Sequence, residues 1–168
     1  MQTYSVWGLP SAADGARFQA VIDALCAEQN VPSFQPHMTL GGLSQEDEDL
    51  SPVLAAFSGL ALTPTEIAAT PDFTKSLFVR FAMTEPLQAG RAALEGLASF
   101  RAGRALDPHV SLCYGPPKHR ERLDLAIEAL VSGVVRFDRL AVVRITLPVE
   151  RHQDLKAWQI VSTRDIPG

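Results

Sequence analysis

Two short phrases of the chain carry residues able to move protons: Pro36-His37-Met38-Thr39-Leu40 and Pro108-His109-Val110-Ser111-Leu112. Each sets a histidine after a proline and a hydroxyl residue two positions later. Imidazole titrates near neutral pH, so one histidine can accept a proton while the other donates one. Phosphodiester cleavage needs both jobs: a base for the attacking water and an acid for the leaving alkoxide. The hydroxyls of Thr39 and Ser111 can donate to the non-bridging phosphate oxygens, where charge develops. Such a set needs no metal. One His-x-Ser/Thr-Leu string arises readily by chance and by itself reads as an ordinary strand histidine. Two copies, both after proline, make a far stronger signal.

The phrases must be held by strands for this chemistry to work. On a strand, side chains at i and i+2 share a face. His37 and Thr39 then face one way and Met38 and Leu40 the core, and the second copy repeats this with Val110 and Leu112 inward. The two strands are expected side by side. A strand over Thr3–Leu9 precedes a helix that starts at a Ser11–Asp14 capping box and presents Phe18, Val21, Ile22 and Leu25 on one face. Pro52 opens a short helix through Phe57. Strands follow over Leu60–Thr70 and Lys75–Thr84, then a long helix over about Leu87–Arg101. A third helix spans about His119–Val131. Val134–Leu147 reads as a strand region, then a polar loop over Pro148–Lys156 and a last strand over Ala157–Thr163. Strands and helices mixed in this order indicate an α+β fold with mostly antiparallel sheets covered by helices.

The 168 residues suit a single domain, 1–168, or two small lobes on one core. Only Cys26 and Cys113 are present, which gives no disulfide framework. With no signal-peptide pattern at the start of the chain, a cytoplasmic location is expected. No stretch suits a membrane span. The formal net charge of −4 argues against tight non-specific binding to long nucleic acid. It leaves room for a small phosphorylated ligand. No P-loop and no G-x-G-x-x-G occur, and the four histidines show no metal-ligand spacing, so no cofactor and no metal are expected. His119 and His152 read as solvent-exposed, and the acidic run Glu46–Asp49 as a solvated loop. Trp7 either stacks on a nucleobase or packs in the core. Tyr114 either donates to phosphate or packs at the rim beside Pro116-Pro117. Trp158 reads as core, and Arg80 and Arg144 as outer-face arginines that could supply charge to a second phosphate. Gly41-Gly42 admits a close ligand approach or simply bends its strand.

The paired motifs resemble those of the two-histidine phosphoesterases. Within that superfamily the chain is most similar to the plant- and yeast-type cyclic phosphodiesterases. Tyr4-Ser5-Val6-Trp7-Gly8-Leu9-Pro10 resembles their first strand, and Pro108 through Tyr114 their second motif. Phe137–Val142 and Trp158 resemble their C-terminal strands. The resemblance implies a bilobal fold, two antiparallel sheets lining a central cleft with helices outside. It implies metal-independent hydrolysis of nucleoside 2′,3′-cyclic phosphates, or of ADP-ribose 1″,2″-cyclic phosphate; a monomer is expected, though no residue pattern sets the oligomeric state. It makes His37 and His109 catalytic and Thr39, Ser111, Tyr114 and Trp7 substrate-binding, with His109 as base and His37 as acid, although the near-symmetry admits the reverse. A second branch, resembling bacterial RNA 2′,3′-cyclic phosphodiesterases of the 2′-5′ RNA ligase type, acts on RNA 3′ ends. There the first motif runs into an aromatic-leucine-glycine stretch, whereas here Leu40 meets Gly41-Gly42-Leu43. A non-catalytic nucleotide-binding domain is the rival from another class.

Overall fold

The computed structural model describes residues 1–168. Strand β1 (Gln2–Pro10) leads into helix α1 (Ala12–Gln29). Ser11 caps that helix by accepting from the Asp14 amide at 3.3 Å. Asn30, left-handed at φ 54°, ends it. Then come β2 (Met38–Leu43), α2 (Ser51–Ala56), β3 (Ala61–Leu62), β4 (Pro64–Ala69), β5 (Leu77–Phe81), α3 (Glu85–Glu95), β6 (Phe100–Arg101) and β7 (His109–Cys113). The chain closes with α4 (Asp124–Glu128), β8 (Val135–Thr146), α5 (His152–Leu155) and β9 (Gln159–Asp165).

The strands form two sheets, antiparallel throughout. One has six strands in the order β3-β8-β1-β2-β6, with β9 also on β8; the other is β4-β5-β7. The fold is α+β, as expected. The motif strands β2 and β7 lie in different sheets, yet they approach one another. A contiguous apolar core draws on both sheets: Met38 and Leu40 from one, Val79, Val110 and Leu112 from the other, and Phe18, Ile22 and Leu25 from α1. The opposite face of the six-stranded sheet carries Trp7, Leu9, Ala141 and Val143. No helix is long and apolar enough to cross a membrane.

Three expected elements differ. The Leu60–Thr70 strand is two strands: Ala61 and Leu62 pair with β8, and from Pro64 the chain pairs with β5, so it changes sheets at Thr63. The helix expected to reach Arg101 ends at Glu95, because Phe100 and Arg101 are taken up as the partners of Leu43 and Gly42. The third helix is one turn of α-helix between two 3-10 turns. Of the two readings of Gly41-Gly42, the bend is the one the strand pairing supports, and Gly41 itself faces the core. A Cβ there would lie 2.7 Å from Leu94 and 3.2 Å from Phe100, so the glycine lets α3 close on the sheet. The pairing of β1 with β2 also shifts register beside it.

Candidate active site

Both histidines are held by one device. Gln35 and Asp107 each precede a proline, which drives them to extended backbone, and the proline ring fixes the next φ. The carbonyl two residues back then meets the imidazole. His37 Nδ1 lies 2.7 Å from Gln35 O, and His109 Nδ1 lies 2.7 Å from Asp107 O. An Nδ1–H donated to a carbonyl leaves Nε2 as the unprotonated nitrogen of the neutral ring. Neither Nε2 has a protein partner. The chain thus presents two imidazoles of the same tautomer. The pattern X-Pro-His, written twice, is the sequence signal for it.

The alternation expected of the motifs shows in the burial of the first copy, whereas the second is buried from Val110 through Cys113. Met38, Leu40, Val110 and Leu112 are fully buried, Thr39 is exposed, and His109 is half-buried. Ser111 is buried, its hydroxyl 3.4 Å from Thr74 O. His37 is 6% exposed because it lies flat on Trp7, ring centroids 3.6 Å apart and planes 11° apart. The edge of Trp158 closes on it at 5.7 Å. Burial lowers the His37 pKa to about 4; the Gln35 carbonyl opposes this, and the charge of His109 adds a smaller lowering. Burial also lowers His109, by less, with Lys75 and Arg80 adding to the effect and Asp107 opposing it. Phe78 meets His109 edge-on at 5.1 Å, and the Lys75 ammonium sits 4.9 Å over the Phe78 ring. Lys75 is also ion-paired with Asp107.

Several side chains stand where the sequence did not place them. Trp7 takes the packing alternative, 5% exposed in a cluster with Leu9, Ala141 and Val143, and adds to it a face laid on His37. Tyr114 is buried too, not at the rim, and packs between Phe34 (4.6 Å) and Trp158 (5.5 Å). Burial raises its phenol, and the nearby Ser111 hydroxyl works weakly the other way. Trp158 packs against the main core, as expected, and against the Trp7 cluster too, where it touches Trp7, His37 and Tyr114 and links the two motif regions. His152 is half-buried rather than solvated, with Nε2 2.8 Å from Tyr114 O and its ring against Phe73. His119 is exposed, as expected. Arg80 is tied to Glu66 and Asp107, and Arg144 to Glu46, so neither guanidinium is free for a phosphate. No periodicity marks these contacts, since they join residues distant in the chain.

No family model matches the chain. A curated cyclic phosphodiesterase from Arabidopsis thaliana is 24% identical over 170 residues, spanning 95% of this chain and 92% of that protein. Among solved structures, E. coli LigT complexed with 3′-AMP is similar at a TM-score of 0.49, with 15% identity over 98% of this chain and 97% of that one. Kluyveromyces marxianus Usb1 with uridine monophosphate is similar at a TM-score of 0.44, with 14% identity over 99% and 97% of the two chains.

Proposed function

We propose, from the chain's place among the two-histidine phosphoesterases, that it hydrolyses nucleoside 2′,3′-cyclic phosphates or ADP-ribose 1″,2″-cyclic phosphate without a metal. The enzyme is a phosphodiesterase: full-length similarity to a curated cyclic phosphodiesterase supports this, beside the doubled motif. The observation that carries the finer reading is the pair of like imidazoles, each with Nδ1 on the carbonyl two residues back and Nε2 unpartnered. Water attacks phosphorus as one Nε2 takes its proton. The other ring, protonated, gives a proton to the leaving ribose oxygen, and a phosphomonoester remains: the 2′-phosphate, or ADP-ribose 1″-phosphate. Thr39 and Ser111 supply hydroxyl donors for the non-bridging oxygens.

A base–acid pair works best when the base has the lower pKa, so that both hold their working charge at one pH. The burial of His37 sets that order, with His37 below His109. This supports His37 as base and His109 as acid, the reverse of the assignment the resemblance implies. Incubation with the four 2′,3′-cyclic nucleotides and with ADP-ribose 1″,2″-cyclic phosphate in EDTA, followed by phosphorus NMR, tests the reading. A 2′- or 1″-monoester is the expected product. No product from any of them defeats the hydrolase reading and leaves a nucleotide-binding domain.

A further inference from the structure

Arg101 is the half-buried cation that no carboxylate holds. The other arginines and lysines either pair with an acidic side chain or stand exposed. Its guanidinium donates to the Thr3 hydroxyl, which itself donates to Leu43 O at 3.0 Å. No other protein acceptor meets its remaining N–H groups.

The sheet register gives the direction it faces. Arg101 pairs with Gly42, Gly42 with Ser5, and Ser5 with Val143, so all four share one face. Val143 packs with Trp7 on that face, and Trp7 pairs with Thr39 and carries His37. Arg101 therefore stands on the same side of the sheet as the first motif. Thr3 and Trp7 are four residues apart on β1, which sets the guanidinium about 13 Å along the strand from the indole that supports His37. A ligand reaching from the histidine to the guanidinium would set one phosphate at the ring and a second at Arg101, with a ribose between them. Arginine is the side chain suited to grip the second one, because its fork matches phosphate oxygens.

We propose that Arg101, set by Thr3, is a subsite for a phosphoryl group on the 5′ side of the ribose whose cyclic ester is opened. This rests on the hydrolase reading for its geometry. The chemistry is shared by two sources, the pyrophosphate of ADP-ribose 1″,2″-cyclic phosphate and the internucleotide phosphate of a short RNA end. The site prefers either of them to a bare nucleoside cyclic phosphate.

Calorimetric binding tests it apart from turnover. Adenosine 2′-monophosphate and adenosine 2′,5′-bisphosphate differ only in the 5′-phosphate. The native protein is expected to bind the bisphosphate about tenfold tighter or more, and Arg101→Gln to remove that advantage. Arg101→Lys keeps the charge but loses the fork, and retains part of it. A variant that merely loosened the fold would weaken both ligands alike and leave the ratio unmoved. An unmoved ratio overturns the proposal. ADP-ribose 1″-phosphate and a diadenylate ending in a 2′-phosphate then distinguish the sources: the one whose affinity Arg101→Gln reduces more is the better fit. If the native protein hydrolyses no cyclic ester but the ratio still falls in Arg101→Gln, the hydrolase reading fails and the subsite stands.

Discussion

Replacing Trp7 by leucine should raise the pKa of His37. In the folded protein that pKa is held at about 4 against 6.5 for a free imidazole, chiefly by burial. That lowering corresponds to roughly 3 kcal/mol of preference for the neutral ring. The indole covers one face of the imidazole at 3.6 Å, and Trp158 closes only an edge. Leucine keeps apolar bulk beside Leu9, Ala141 and Val143 but uncovers that face. If the covered face accounts for somewhat under half of the effect, the pKa rises by about one unit. NMR titration of the imidazole Cε1–H of His37 reads this directly, and the acid limb of the kcat/KM profile should move the same way. Circular dichroism checks that the variant is folded. An unchanged pKa would refute burial by Trp7 as the cause. A fall would mean that attraction between the indole face and an imidazolium outweighs desolvation.

Stability should depend on the same ring. Unfolded His37 takes a proton below about pH 6.5 and the folded ring only below about pH 4, so the unfolded state binds more protons between them. Denaturant-measured stability then falls as pH drops through that window, by about 3 kcal/mol from this residue, and His37→Gln should flatten the slope. Asp107→Asn should lower the His109 pKa further, because it removes a charge that raises it and leaves Lys75 and Arg80 unopposed; imidazole NMR measures the shift. Gly41→Ala should cost about 1–3 kcal/mol by forcing a Cβ against Leu94 and Phe100, read as a lower melting temperature. A phosphodiester with a p-nitrophenolate leaving group needs no acid, so on it His109→Gln should regain most of its lost rate while His37→Gln does not. The opposite pattern would exchange the two roles.

The candidate site was readable in the sequence where chemistry is written locally. His37 and His109, each with its hydroxyl residue two places on, follow from a repeated phrase and the two-residue period of a strand. The proline before each histidine also sets the Nδ1 contact, and that could have been read from Gln35-Pro36 and Asp107-Pro108. What the sequence hid depends on contacts across the fold. Trp158 stands over a hundred residues from His37, and no pattern in either segment announces that the two rings meet. The break at Thr63 was hidden because both halves are extended; only pairing with β8 and then β5 separates them. Phe100 and Arg101 continue a helical pattern that an edge strand overrode by pairing with Leu43 and Gly42. That override also turned Arg101 onto the face of Trp7. Of the arginines the sequence offers for a second phosphate, Arg80 is held by its cross-strand neighbour Glu66 and by Asp107, and Arg144 by Glu46 from a distant segment.

The central claim is that His37 and His109 together open a cyclic phosphodiester without a metal. The most direct measurement is kcat/KM on adenosine 2′,3′-cyclic phosphate in EDTA for the native protein, His37→Gln, His109→Gln and the double variant. Each single change is expected to lower it about 10²–10⁴-fold, with the double variant losing little more, since the two rings serve one transition state. A single-histidine variant that kept a near-native rate in EDTA would contradict the claim.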